Sequence, residues 1–209
     1  MAGKRQRVPL FPLGGAILFP RSHLPLHIFE ERYRAMVEDA LAGPGRIAMI
    51  QPADENDPPS LYPVGCVGEL VGVEELDDGR FNIMLLGSRR FRLLAEADGG
   101  TPYRQADVEL DIGDDLEPPP LGLAQRSEVE REARRFGDSL GLTVDWDAVG
   151  RLDDEMLVNA IAQVAPFDRG AKQALLEAPT LAERADLVVQ LMQFQRLAPG
   201  GADAAQTLQ

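Results

Sequence analysis

This sequence of 209 residues is poor in several residue types that common enzyme chemistries need. Its single cysteine, Cys66, excludes an internal disulfide and favours a reducing, cytoplasmic location. The lysines are Lys4 and Lys172, and neither stands in the serine-bearing apolar context of a Ser-Lys dyad. A phosphate-binding loop of the form Gly-x-x-x-x-Gly-Lys-Ser/Thr does not occur, and no apolar run has the length of a membrane span. We therefore predict a cytoplasmic protein that is not an enzyme and has no catalytic residues.

Positive charge is also scarce, because 21 Lys and Arg residues face 34 Asp and Glu residues, for a formal net charge of −13. Such a surface repels nucleic acids and anionic membranes, so neither is predicted as a partner. Aromatic residues, which stack on RNA bases, make up only 6%. The basic segment with Arg89, Arg90 and Arg92 leaves RNA binding as an alternative. We expect these arginines to face solvent and to pair with neighbouring carboxylates, those of Asp77, Asp78 or Glu96.

Residues that bind metals or act as nucleophiles are few. His23 and His27 share one face if their segment is extended, but Pro25 lies between them and no cysteine is close in the sequence. Because a zinc site needs three or four ligands, no metal and no cofactor are predicted. His27 is expected to make structural hydrogen bonds. Cys66, which lies in a glycine-rich segment, is expected to be a small core residue.

The proline-rich opening of the chain predicts two short edge-like strands, Val8–Leu13 and Leu24–Phe29, joined by a bent loop. Proline donates no backbone hydrogen bond and holds the preceding residue extended, so this segment is neither a helix nor a central strand. From Glu30 the apolar residues recur at helical spacing, which predicts a first helix. Its inward stripe is Tyr33, Met36, Val37, Ala40 and Leu41.

The middle of the chain alternates between apolar and polar residues in the manner of strands. The predicted strands are Arg46–Gln51, Val64–Leu76, Arg80–Leu86, Ser88–Ala97 and Tyr103–Ile112. The segment 52–63 is predicted to be a surface loop, and Asp77-Asp78-Gly79 a hairpin turn. Glycines 65, 68 and 72 indicate bulges or bends, which a small curled barrel needs.

After an acidic and proline-rich connector at 113–120, the periodicity becomes helical. Four amphipathic helices are predicted, with Asp168 capping the third and a Thr180–Glu183 capping box opening the fourth. We therefore predict an α+β fold with a β-rich subdomain at 1–117, a small helical bundle at 118–198 and a disordered tail at 199–209.

Several segments in fixed order resemble the N-terminal, substrate-recruiting domain of the Lon proteases. They are Pro9-Leu10-Phe11-Pro12-Leu13, Leu18-Phe19-Pro20, Leu24-Pro25-Leu26-His27-Ile28-Phe29-Glu30, Arg32-Tyr33-Arg34 with Met36, Tyr62-Pro63-Val64-Gly65, Asp78-Gly79-Arg80, Gly87, Arg90-Phe91-Arg92, Pro102-Tyr103, Lys172-Gln173 and Leu175-Leu176-Glu177. The resemblance covers nearly the whole chain. It implies a PUA-like β-barrel subdomain with one helix, followed by a small helical bundle.

In the family, this domain helps to recognise unfolded or tagged proteins for an attached unfoldase and protease, and motifs of neither part occur here. The resemblance therefore implies a noncatalytic adaptor that binds protein or peptide segments, with a separate protease as a possible partner. The alternative from another class is an enzyme with an unrecognised pocket between barrel and bundle. Convergent polar groups with perturbed pKa values would favour the enzyme, and an exposed apolar patch would favour the binding module.

The predicted contact surface combines the loop at 19–21 with the outer face of the first helix. If the helix stripe faces the barrel, Glu31 and Arg34 point outward, next to a loop that carries Phe19 and Arg21. An exposed aromatic ring rimmed by charges of both signs can hold an extended peptide. We therefore predict Phe19, Arg21, Glu31 and Arg34 as partner-binding residues.

Overall fold

A computed structural model describes residues 5–110 and 118–197 of the chain. These residues form six strands and six helices, which confirms the predicted α+β class. The elements are, in chain order, β1 (Arg5–Pro12), β2 (His23–Ile28), α1 (Glu31–Ala42), β3 (Arg46–Ile50), β4 (Val64–Glu75), β5 (Phe81–Ala97), β6 (Gln105–Leu110), α2 (Leu123–Ser139), α3 (Trp146–Gly150), α4 (Asp154–Val164), α5 (Arg169–Glu177) and α6 (Leu181–Leu197).

The described chain falls into two compact units. The first contains residues 5–110 together with 168–177, and the second contains residues 118–167 and 178–197. Helix α5, which the sequence assigns to the helical bundle, therefore belongs to the first unit. The predicted boundary at 117 and the predicted tail at 199–209 lie outside the described residues.

All six strands of the first unit form one sheet in the order β2-β5-β4-β3-β1-β6. The pair β1–β3 is parallel and the other pairs are antiparallel. Because β1 pairs with both β3 and β6, the prediction of an edge-like strand at Val8–Leu13 is wrong. An additional pairing joins the second half of β5 to β6, so β5, β4, β3, β1 and β6 close into a ring. The two register shifts between β4 and β5 fall at Val67/Gly68 and Leu70/Gly72, two of the glycine positions where the sequence predicts bulges.

Strand β5 is one continuous strand of 17 residues, whereas the sequence predicts two strands separated at Gly87. The glycine is required by packing, because a Cβ atom at this position would overlap the carbonyl oxygen of Phe19. The N–H of Gly87 donates to the carbonyl oxygen of Ser22 (2.9 Å), so the strand continues through it. The first half of β5, which pairs with β2, therefore continues without a break into its second half, which pairs with β6.

The interior of the ring is filled by apolar side chains from its five strands. They are Val8, Leu10, Ala48, Ile50, Val67, Phe91, Ala106, Val108 and Leu110. Strand β6 contributes every second residue, as the alternation of its sequence predicts. Cys66 is also fully buried in β4, but it is not part of this cluster.

Helix α5 is held on the first unit by buried polar side chains rather than by apolar packing alone. The amine of Lys172 donates to the carbonyl oxygen of Gly15 (2.8 Å), and the amide of Gln173 donates to that of Val64 (3.0 Å). Arg90, only 3% exposed, donates to the carbonyl oxygen of Leu176 (3.0 Å) in the last turn of α5. The end of a helix leaves carbonyl groups that need donors, and Arg90 supplies one.

This corrects the expectation for the arginine cluster. Arg90 does not face solvent, although Arg89 and Arg92 are exposed. Two of the three carboxylates expected to pair with the cluster have other partners, because Asp78 accepts from Arg80 (2.7 Å) and Glu96 pairs with Arg104.

The second unit contains α2, α3, α4 and α6, of which the five-residue α3 was not predicted. The carboxylate of Glu132, with a side chain 2% exposed, accepts a hydrogen bond from Nε of Arg196 (2.9 Å) and forms an ion pair with its Nη2 (2.8 Å), which ties α2 to α6. Asp153 accepts from the N–H of Met156 (2.7 Å) and caps α4.

Candidate functional site

The structure separates the four residues that the sequence predicts as a contact surface. Phe19 is 0% exposed, so the prediction of an exposed ring at this position is wrong. Arg21 has an exposed side chain and a positive φ of 59°, and its N–H donates to the carbonyl oxygen of Gly87 (2.7 Å). The loop is therefore folded tightly against β5, and this packing buries the Phe19 ring.

The two predicted residues of α1 differ from each other. Glu31 is exposed in the first turn of the helix. Arg34 is half-buried, and its guanidinium reaches the carbonyl oxygen of Asp78 (3.5 Å) in the turn between β4 and β5. Leu41, predicted to face inward, is 51% exposed. Of the two predicted residues, Glu31 therefore lies on the exposed face of α1, whereas Arg34 contacts the turn of the β4–β5 hairpin.

The exposed aromatic residue near α1 is Phe29, which is 63% exposed. It follows β2 directly, and its ring stacks on that of His27 with 6.2 Å between the ring centroids. Sequence reasoning missed this residue because it was assigned to the second edge strand. The alternation along that strand could have identified Phe29 as exposed, because Ile28 is buried and successive side chains of a strand point to opposite faces.

Next to Phe29, the outer face of β2, β5 and β4 forms a shallow groove of about 560 Å³, called here the sheet groove. Its lining residues are Pro25, Leu26, His27, Gly72, Val73, Glu74, Asn82, Ile83 and Met84.

A row of hydrogen bonds crosses one end of the sheet groove. The amide of Asn82 donates to Glu74 (2.8 Å), and its oxygen lies 2.8 Å from Nδ1 of His27. Nε2 of His27 lies 3.2 Å from the guanidinium of Arg80. Because a guanidinium only donates, the imidazole accepts at Nε2 and donates at Nδ1 in this geometry. His27 therefore makes the structural hydrogen bonds expected of it.

The second unit contains a cavity of about 170 Å³, called here the helical cavity, between its four helices. Its lining residues are Ala133, Phe136, Gly137, Leu140, Leu142, Val144, Trp146, Val149, Leu152, Leu157, Ala160, Ile161, Val164, Ala165, Pro166 and Met192. All sixteen are apolar. Two of them are largely exposed, Val164 at 82% and Leu142 at 56%, so the cavity opens to the surface through apolar side chains.

The wall formed by Trp146 has a clear local origin. Asp145 precedes it and caps α3 by accepting from the N–H of Ala148 (2.9 Å), which fixes where the short helix begins. The guanidinium of Arg134 lies 4.7 Å from the centre of the indole ring, a cation–π contact. A Cβ atom at Gly137 would already lie 3.4 Å from the indole, so glycine gives the ring its room on α2.

The groups with perturbed pKa values lie outside both sites. Burial, together with a hydrogen bond from its hydroxyl to Asp39 (2.7 Å), raises the pKa of Tyr103 to about 12. Burial lowers the pKa of the Lys172 amine. Neither residue lines the helical cavity or the sheet groove, and both make contacts that hold the first unit together. The alternative of an enzyme with a pocket between the two parts of the chain stays a prediction.

Metal-type clusters and membrane-spanning helices are both absent from the described ranges, 5–110 and 118–197. No group of three or more His, Cys, Asp or Glu side chains in these ranges is arranged to hold a metal ion. None of the helices described there is long and apolar enough to cross a membrane.

Comparison with known proteins relates the chain to one family. A family model described as the ATP-dependent protease La (LON) substrate-binding domain matches residues 7–193. Lon protease 2 of Sorangium cellulosum is 32% identical over 202 residues, which cover 88% of this chain and 24% of that protein. Lon protease 2 of Syntrophobacter fumaroxidans is 26% identical over 183 residues, covering 85% and 23%. The chain thus spans about a quarter of the length of the curated relatives it matches.

Solved structures share the fold. The N-terminal domain of a Mycobacterium avium complex Lon protease has a TM-score of 0.66 at 17% identity, covering 90% of this chain and 98% of that one. A Lon N-terminal domain protein from Xanthomonas campestris has a TM-score of 0.64 at 19% identity, covering 88% and 98%. At these identities the likeness concerns the fold alone. Because the family model covers nearly the whole sequence, the chain belongs to the family of Lon substrate-binding domains.

Proposed function

We propose that this protein is a noncatalytic module that binds unfolded polypeptide segments and takes one of their apolar side chains into the helical cavity. The observation that carries the proposal is the cavity lining, in which all sixteen residues are apolar. Catalysis needs convergent polar groups, whereas the recognition of exposed core residues needs an apolar surface. Membership of a family described by substrate binding supports the same function.

The size of the helical cavity suits one side chain. Engineered apolar cavities of about 150 Å³ stay dry and bind benzene. A cavity of about 170 Å³ therefore accepts a phenylalanine ring or a leucine side chain. Burying one such side chain contributes about 1.5 to 3 kcal/mol, whereas a micromolar complex needs roughly 8 kcal/mol. The bound polypeptide must make further contacts to reach useful affinity.

We assign a second contact to the first unit, along β2: Arg21 lies just before this strand, and Phe29, Glu31 and Arg34 follow it. Phe29 replaces Phe19 as the aromatic residue of this contact, because its ring is exposed and stacks on His27, which lines the sheet groove. Strand β2 pairs only with β5 among the described strands, so a bound segment can add along its other edge. Two weak contacts on one chain combine through effective concentration.

The partners follow from the same chemistry. Unfolded or tagged proteins expose the apolar side chains that the helical cavity accepts, and a separate protease is the partner to which they would be delivered. Nucleic acids and anionic membranes are not partners in this proposal, because the net charge of −13 repels both.

The test measures binding of a fluorescently labelled, reduced and alkylated protein by anisotropy. The variant Val164→Asp puts a charge at the cavity entrance, and we expect affinity to fall by about tenfold, since an apolar chain must then desolvate a carboxylate. Val164 is 82% exposed, so the variant should fold normally.

The matched control is Leu123→Asp, which makes the same kind of change at a residue that is 89% exposed on α2 and does not line the cavity. Its affinity should equal that of the wild type. Equal losses in both variants, or in neither, would contradict the assignment to the helical cavity. Hydrolysis of ATP or casein by the stringently purified protein would contradict the noncatalytic function.

A further inference from the structure

One end of the strand ring opens into a pocket of about 350 Å³, called here the ring mouth. Every strand of the ring contributes at least one lining residue: Gln6 from β1, Arg46 from β3, Val67 and Glu69 from β4, Ser88 and Arg89 from β5, and Leu110 from β6. Val67 and Leu110 belong to the apolar cluster inside the ring, so they form the floor. Mouths of closed strand rings are common sites for small ligands.

The register shift at Val67/Gly68 shapes this pocket. It leaves Ser88 opposite no residue of β4, and the hydroxyl of Ser88 donates to the carbonyl oxygen of Val67 (3.1 Å). Such bulges bend a strand and re-aim its side chains. Because its proton is used in that bond, the Ser88 oxygen faces a ligand as an acceptor.

The charges of the ring mouth differ in sign from those of the whole protein. Arg46, Arg89 and Glu69 give the lining a formal charge of +1, from two cations and one anion, whereas the whole chain carries −13. Arg46 donates to Glu69 through Nη2 (3.2 Å), and this bond uses one of its five guanidinium N–H groups. The side chains of Arg46 and Glu69 are 40% and 45% exposed, so the pair is open to solvent.

We propose that the ring mouth binds a small monocarboxylate that carries a short apolar group. Guanidinium groups bind carboxylates through paired, charge-assisted hydrogen bonds, and a lining of charge +1 matches a monoanion. The Glu69 carboxylate disfavours a dianion such as phosphate. The apolar group lies toward Val67 and Leu110, and the volume is at the lower end of the usual range for small-ligand sites.

Two sources have this chemistry: a free short-chain carboxylic acid, and the C-terminal residue of a polypeptide. A peptide also brings the N–H of its last residue, for which the Ser88 oxygen is the nearby acceptor. The site is separate from the helical cavity and the sheet groove, so it does not depend on the function proposed above.

The experiment titrates the whole 209-residue chain by calorimetry with isovalerate, with acetyl-Ala-Val bearing a free carboxylate, and with the same dipeptide as its amide. We expect saturable binding of at least one of the two acids and none of the amide. Arg89→Gln should weaken acid binding by about tenfold or more, since it removes a charge-assisted contact. The matched control, Arg92→Gln, changes an exposed arginine of the same strand outside the pocket and should bind like the wild type.

The outcomes separate the two sources. Tighter binding of the dipeptide acid than of isovalerate supports a polypeptide C-terminus, and equal or tighter binding of isovalerate supports a free acid. Equal binding of the amide, an unchanged affinity of Arg89→Gln, tighter binding of inorganic phosphate than of either acid, or no saturable binding of either acid would each overturn the proposal. Circular dichroism and thermal unfolding of both variants verify that they fold.

Discussion

Filling the helical cavity tests its role with two readouts that should move in opposite directions. Ala160 lines the cavity from α4 and is half-buried. The substitution Ala160→Leu adds three carbon atoms to this wall and keeps a residue with high helix propensity. The cavity of about 170 Å³ can hold the added atoms without moving the opposite helix. We expect the variant to be more stable than the wild type and to bind unfolded polypeptide more weakly.

The magnitude follows from the area that the new side chain buries. Each buried methylene-sized group contributes about 0.8 kcal/mol, so three contribute up to roughly 2.4 kcal/mol. Ordering a leucine side chain costs about 0.5 to 1 kcal/mol. The free energy of unfolding of the second unit should therefore rise by about 1 to 2 kcal/mol. Affinity should fall by about tenfold or more, because the space for one incoming apolar side chain is lost.

Urea unfolding followed by circular dichroism gives the stability, and anisotropy with the labelled unfolded protein gives the affinity. The matched control is Ala124→Leu, the same chemical change at an exposed position of α2 that does not line the cavity. It should leave both quantities near the wild-type values. A stabilised Ala160→Leu variant with unchanged affinity would refute the cavity as the binding site, whereas a destabilised one would refute the packing argument.

Three further predictions concern the fold. Gly87→Ala should lower the free energy of unfolding by about 2 kcal/mol or more in urea titrations, because the added Cβ overlaps the Phe19 carbonyl; an unchanged midpoint would contradict this. Arg196→Met should cost about 3 kcal/mol by leaving the buried Glu132 carboxylate with only the Arg135 guanidinium, 3.7 Å away, and adding Glu132→Leu should recover most of the loss. In an alkaline titration followed by tyrosinate absorbance, Tyr103 should ionise near pH 12, and Tyr103→Phe should remove that step. Since the folded state keeps a proton that the unfolded state releases near pH 10, stability should fall as pH rises from about 10 through 12, and less so in Tyr103→Phe.

Local features of this fold were predictable from the sequence because neighbouring residues decide them. The turn at Asp78-Gly79 forms as its residues predict, with Gly79 at a positive φ of 76°. Asp168 caps α5 by accepting from the N–H of Ala171 (2.7 Å), and Thr180 accepts from the N–H of Glu183 (3.2 Å). Caps, turns and alternation depend on atoms a few residues apart, so the sequence states them directly.

Burial of individual loop and strand residues required the tertiary structure. Phe19 lies inside the opening segment, directly before Pro20, and Phe29 lies at the end of that segment. The Phe19 ring is fully buried, whereas the Phe29 ring is 63% exposed. The difference arises from β5, which passes over the Phe19 loop at Gly87. No local pattern reports the approach of a strand that follows more than sixty residues later, so the exposed aromatic was assigned to the wrong position.

The sequence by itself determined the α+β class and the family, and it determined the order of strands and helices except for α3 and the continuity of β5. The membership of α5, the burial of Arg90 and the helical cavity were decided only in three dimensions. Periodicity identifies which face of an element is apolar, but it does not identify what covers that face. Helix α5 has the amphipathic pattern of a bundle helix, but its contacts through Lys172, Gln173 and the Leu176 carbonyl attach it to the first unit. The helical cavity, likewise, is the space between the apolar faces of α2, α3, α4 and α6. The pattern of any one of these helices does not predict it.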